Sequence, residues 1–142
     1  MGRIIVQIEA QNYSDVHRMK SGEIAPKQVR TIHAEALVDT GATMLCLPES
    51  KVAELGLAPI EKRRVITANG EIGRNIYGGA FLTIKGRSCT IDVAEVPENV
   101  PPVVGYLALE ALDFVGDPTK QQVISNPAHN GKFMHDLLWL SV

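Results

Sequence analysis

The sequence carries only two cysteines, Cys46 and Cys89, in 142 residues. Two thiols cannot build a disulfide framework, and their spacing is not that of a metal site. Each sits in an apolar segment and reads as a small buried hydrophobe. A basic block is also missing, and the formal net charge is −2, so nucleic acid is not an expected partner. Long hydrophobic runs are missing too. Residues 1–6 are apolar only briefly before Gln7 and Glu9, which predicts neither a signal peptide nor a membrane span and leaves a cytoplasmic setting as the default. No internal repeat is visible, and the tripeptide Asp-Thr-Gly occurs once, at residues 39–41.

What is present suits one globular domain with a sizeable core: 45% of residues are apolar and 21% charged. Residues 3–10 alternate, with Ile4, Val6 and Ile8 set against Arg3, Gln7 and Glu9, as in a strand. Residues 12–27 are polar, include Ser21-Gly22 and Pro26, and read as a long hairpin connection. Strands are expected at 28–38 and 44–47. A helix is expected from Pro48, with Val52, Ala53 and Leu55 on its apolar side and Gly56 as its stop. A strand at 63–67 meets Asn69-Gly70, a strong hairpin signal. The chain returns in a long strand to Ile84, bent at Gly78-Gly79. A further strand is expected at 89–96, a buried run at Val103-Val104-Gly105, a helix at 106–112, and two short strands at 113–115 and 121–125 joined at Asp117-Pro118. Many short strands with one or two short helices predict a mostly β domain, a closed, barrel-like sheet, over residues 1–125. In the extension 126–142, Phe133, Met134, Leu137, Leu138 and Trp139 fit one helical stripe or a dimer contact.

The chemistry concentrates at Leu37-Val38-Asp39-Thr40-Gly41-Ala42-Thr43. An apolar strand runs directly into an acid, a hydroxyl and a glycine. A carboxylate at a buried strand end is costly unless it is bonded, paired or used. Gly41 permits a sharp turn beside it, and Thr40 supplies a hydroxyl brace. The expected result is one carboxylate at the bottom of a cleft.

The order of features resembles the retropepsin-like aspartic proteases over roughly residues 30–124. Ala36 to Thr43 is similar to the family's active-site motif. Residues 66–72, Ile-Thr-Ala-Asn-Gly-Glu-Ile, stand where the family has its flap. Val103-Val104-Gly105 before Tyr106-Leu107-Ala108-Leu109 resembles its second signature, two apolar residues and a glycine ahead of a helix. The flap is less glycine-rich than in retroviral members, Tyr106 stands where those often have arginine, and the C-terminal extension is longer. The likeness is therefore closer to cellular and prokaryotic retroviral-like members. The resemblance implies a closed β fold and an aspartic endopeptidase that needs no cofactor and no metal. It implies Asp39 as the catalytic acid, with Thr40, Gly41 and Ala42 forming the active-site loop. It implies Thr67, Ala68, Asn69 and Gly70 as the flap, and Ile66, Ile72, Val103, Val104 and Gly105 as substrate-binding residues.

Because the chemistry requires two carboxylates sharing a proton, a single Asp39 per chain implies a homodimer acting on an extended peptide. Asp92, Asp113 and Asp136 lack a following glycine or hydroxyl and read as structural or exposed. His17 and His33 read as exposed or strand-face residues, and His129, His135 and Asp136 read as surface residues rather than a metal site. The alternative is a non-catalytic peptide-binding or dimerisation module on the same fold.

Overall fold

Alternation makes Ile5–Asn12 a strand (β1): Val6, Ile8, Ala10 and Asn12 turn inward and their neighbours face outward. It pairs antiparallel with Thr31–Val38 (β2), Ile5 opposite Leu37 and Gln11 opposite Thr31. In the computed structural model, which describes residues 3–137, the same sheet contains Leu45–Pro48 (β3), Ala58–Thr67 (β4), Gly70–Ile84 (β5), Arg87–Val96 (β6) and Val103–Val104 (β7). Its order is β1-β2-β7-β3-β6-β5-β4, and β1 also pairs with β5. Six strands therefore form a ring, and β4 stands outside it as the partner of β5. Phe114–Asp117 (β8) and Gln122–Ser125 (β9) make a separate hairpin. The fold is mostly β, as the sequence implies. Among the described residues it has three α-helices rather than one or two: Tyr13–Lys20 (α1), Glu49–Leu55 (α2) and Tyr106–Ala111 (α3). No helix among the described residues is long and apolar enough to cross a membrane.

The core fills the ring. Leu45, Leu47, Leu82, Ile84, Val93 and Val104 are completely buried there, and α2 and α3 cover it through Leu55, Ala108 and Leu109. Truncating one such leucine to alanine costs about 2–5 kcal/mol, because the cavity only partly collapses.

Three sequence expectations are corrected. The connection at residues 12–27 contains α1 and a short 3-10 turn at Pro26–Gln28. The Asn12 side chain accepts from the Asp15 N–H at 3.0 Å and caps the helix, whose first turn carries Asp15 and whose last carries Arg18 and Lys20. Only Asp15 and Val16 are buried in α1, so hydrophobic periodicity gave no signal. Asp15 is held instead by Arg30, at 2.8 and 3.0 Å from Nε and Nη2 and 3.1 Å from the backbone N–H. Pro48 ends β3 and stands at the N-cap of α2 rather than inside the helix; Gly56 ends that helix in the left-handed region (φ 61°). The bend at Gly78-Gly79 is present as a register slip between Tyr77 and Ala80, and a Cβ on Gly78 would overlap Ile60.

The third correction concerns the C-terminal segment. Residues 132–137 form neither helix nor strand, while Leu138 and Trp139 lie outside the described residues. Asn130 (φ 54°) and Gly131 (φ 79°) turn the chain left-handed, and the Met134 N–H donates to Asp113 Oδ2 instead of a helical carbonyl. His129, expected at the surface, is only 12% exposed in its side chain, with Nδ1 2.6 Å from Asp113 Oδ2. Asn126 donates to the other Asp113 oxygen at 3.1 Å. The Arg87 guanidinium lies over Phe114 and Phe133 and donates to the carbonyls of Leu112, Asp113 and Gly131. Residues 126–137 are thereby clasped against α3 and the β8–β9 hairpin.

Candidate active site

Asp39 follows β2 directly and is fixed by its backbone. Its N–H donates to the Val104 carbonyl at 3.0 Å, and its carbonyl accepts from the Ala42 N–H at 3.0 Å. The Gly41 N–H donates to Asp39 Oδ1 at 2.9 Å. A Cβ on Gly41 would lie 3.1 Å from that oxygen, so glycine keeps the close backbone approach free of crowding. The rest of the loop hangs on the start of α3: the Tyr106 N–H donates to Ala42 O at 2.9 Å and the Leu107 N–H to Thr43 O at 3.1 Å.

Gly105 marks where the two segments cross. It is buried, and a Cβ there would stand 2.6 Å from Thr43 C and 2.7 Å from the carbonyl oxygens of Ala42 and Met44. Apolar-apolar-glycine thus has three separate jobs. Val103 pairs with Leu37 and with Cys46. Val104 is completely buried in the core, on the opposite face from Val103. Gly105 lets the two backbones touch. Of the residues expected to bind substrate, Val104 serves the core instead.

Asp39, Thr40 and Gly41 are all exposed on the single chain. The carboxylate is therefore not at the bottom of a cleft, as its place after an apolar strand suggests; the strand buries Ile32 and Ala36, and its end is open. Beside it runs a wall of side chains at one register level: Val103, Cys46, Ala94 and Ile76, on β7, β3, β6 and β5. Burial pushes the Cys46 thiol up, the Asp39 carboxylate pushes it the same way, and Arg74 pulls it down. Cys46 thus lies within Coulombic reach of both. Sequence reasoning missed Cys46 and Arg74; alternation about Val103 and Ile76 is the signal that could have found them.

The residues expected to form a flap lie at the outer end of the β4–β5 hairpin. Thr67 and Gly70 close its two-residue turn at Ala68-Asn69, with Gly70 at φ 107°. The Thr67 hydroxyl donates to Gly70 O at 3.0 Å and accepts from the Asn69 N–H at 3.2 Å. Register sorts the arms into two faces. Val65 opposes Ile72, Arg63 opposes Arg74 and Glu61 opposes Ile76, so these share the face that buries Ile76. Ile66 opposes Glu71 on the other face and is 89% exposed. Ile72 therefore shares the face of Arg74 and Ile76, and Ile66 lies on the opposite one. Among the described residues, no cluster of three or more His, Cys, Asp or Glu is placed to hold a metal ion.

The profile of the aspartyl protease family matches residues 21–110, which contain the Asp39 loop, the hairpin and the Val103–Gly105 crossing. The chain belongs to the aspartyl protease family. The family is of retropepsin-like type, in accord with the resemblance read from the sequence. A comparison with curated proteins finds no match. Family membership supports aspartic protease activity in general.

Proposed function

We propose that this aspartyl protease is an endopeptidase that works as a homodimer, with Asp39 of each subunit meeting at the two-fold axis. What supports the reading is a single Asp-Thr-Gly whose carboxylate is exposed on the isolated chain while its backbone is rigidly anchored. One carboxylate cannot be both base and acid. Two like charges 4 Å apart repel by about 4 kcal/mol at an effective dielectric of 20, so such a pair holds one proton between them. The ionised Asp39 takes a proton from water as its oxygen bonds to the peptide carbonyl carbon. The protonated partner donates to the carbonyl oxygen, and collapse breaks the C–N bond as the nitrogen takes a proton.

The Thr40 hydroxyl would bond across the axis and hold the two loops together. The peptide would lie extended between the Val103–Cys46 wall and the Val65–Ile72 underside of the flap, bound through its backbone. The flap would exclude water on closing. The test is Asp39→Asn: cleavage of a peptide mixture disappears while the thermal melt persists, and wild-type activity per subunit rises with protein concentration. Full cleavage by Asp39→Asn, or activity per subunit independent of dilution in a proven monomer, refutes it. Stoichiometric peptide binding without cleavage would favour a binding module.

A further inference from the structure

The β4–β5 arms carry four cations, Lys62, Arg63, Arg64 and Arg74. Two have partners of their own: Arg64 Nε meets Glu71 at 2.6 Å on the outer face, and Arg63 meets Glu61 on the inner face. Lys62 is exposed on the outer face. Arg74 is different. It is half-buried, lies on the inner face two residues from the fully buried Ile76, and has no ion pair or side-chain hydrogen bond among the described residues. Directly opposite it stands another cation, Arg63, and like charges so placed destabilise a hairpin. The acids on this face are engaged or distant: Glu61 is taken by Arg63, and Asp92 lies down β6 against Gly78. Asp39 and Arg74 both act on Cys46, with opposite sign.

We infer that Arg74 is a specificity residue that receives a carboxylate carried by the substrate close to the cleaved bond. The inference rests on the peptidase activity proposed above. A guanidinium presents a planar fork that matches a carboxylate with two parallel hydrogen bonds. Closing the flap over a peptide removes water from both groups and strengthens the pair. An unneutralised arginine beneath a flap, facing another arginine, is a local cost to the empty protein that an acidic ligand removes. The carboxylate belongs to a Glu or Asp side chain or to the peptide's own C-terminus.

The experiment digests one peptide mixture with wild-type protein, Arg74→Gln, Arg74→Lys and Arg74→Glu, and maps cut sites by mass spectrometry. The same mixture with amidated C-termini is run in parallel. Wild type should cut preferentially where an acid occupies one fixed position, by about tenfold in kcat/KM over the matched Gln or Asn peptide. Arg74→Gln should erase that preference while retaining cleavage of neutral peptides, Arg74→Lys should keep part of it, and Arg74→Glu should turn it toward Lys and Arg. A preference lost on amidation assigns the carboxylate to the peptide terminus; one that survives assigns it to a side chain. Titration of acidic and neutral peptides into Asp39→Asn protein gives the same comparison without turnover. Cleavage with no acid preference, or a preference unchanged in Arg74→Gln, overturns this inference and leaves the peptidase standing. Loss of dimer in Arg74→Gln without any acid preference overturns it too, and assigns Arg74 to the subunit interface.

Discussion

Gly105→Ala is the sharpest probe of how the site is built. The added methyl would stand 2.6–2.7 Å from three backbone atoms of residues 42–44, where carbon contacts settle at about 3.5–4.0 Å. Gly105 sits at φ −87°, which alanine tolerates, so the penalty comes from crowding and not from backbone strain. Overpacking of this kind costs about 1–3 kcal/mol, offset by roughly 0.4–1 kcal/mol from a stiffer unfolded chain. A net loss of about 1–2 kcal/mol lowers the melting temperature by roughly 3–8 °C at this chain length. The neighbour that must give way is the loop carrying the acid, displaced by about 1 Å, and misplacement on that scale costs about a hundredfold in rate. The assays are thermal melting and peptide cleavage, with Gly73→Ala as control because its methyl would meet only the flexible Lys62 side chain at 3.3 Å. A Gly105→Ala protein that melts and cleaves like wild type refutes the crossing as the determinant of loop position.

Removing Arg30 leaves Asp15 buried with its charge unmatched, so Arg30→Ala should cost about 2–3 kcal/mol in urea unfolding; a change below 1 kcal/mol would count against the pairing. Burial alone would raise Asp113, but hydrogen bonds from His129, the Met134 N–H and Asn126 outweigh it and hold the carboxyl at about 2. The same hydrogen bond to Asp113 raises His129. Asp113's contribution is therefore present above 3.8 and fades as pH falls toward about 2. That of His129 is complete below 6.5 and is lost as pH rises through its raised value. The melting difference between wild type and His129→Ala should peak between those limits and shrink at higher pH; a difference flat with pH contradicts the clasp. On the flap, Ile72→Ser should raise KM several-fold and Ile66→Ser should leave it nearly unchanged, because only Ile72 shares the face of Val65 and Arg74; equal effects would refute the facing.

Much of this was legible beforehand where one residue type has one structural use. Asn69-Gly70 marks the hairpin turn, Gly56 the end of α2, and Gly78-Gly79 the register slip. The Asp39 loop was legible because acid, hydroxyl and glycine follow an apolar strand. The polar face that hides α1 was not, since the helix is held by a cap and the Asp15–Arg30 pair rather than by an apolar stripe. The segment after Gly131 misled for the opposite reason: its apolar spacing suits a helix, but Asp113 claims the Met134 N–H. The exposure of Asp39 depends on how β2 ends relative to its neighbours, and Arg74 becomes visible only when cross-strand partners subtract the cations already matched.

The outer halves of β4 and β5, residues 62–67 and 70–75, pair only with each other, beyond the ring. Lifting that arm breaks no ladder bond of the six strands beneath and opens no buried leucine to water. Backbone amides in the arm should therefore trade protons for deuterons rapidly while those of Leu45, Leu82 and Val93 stay protected. The gate could then swing through every turnover without drawing on the stability of the body that carries it.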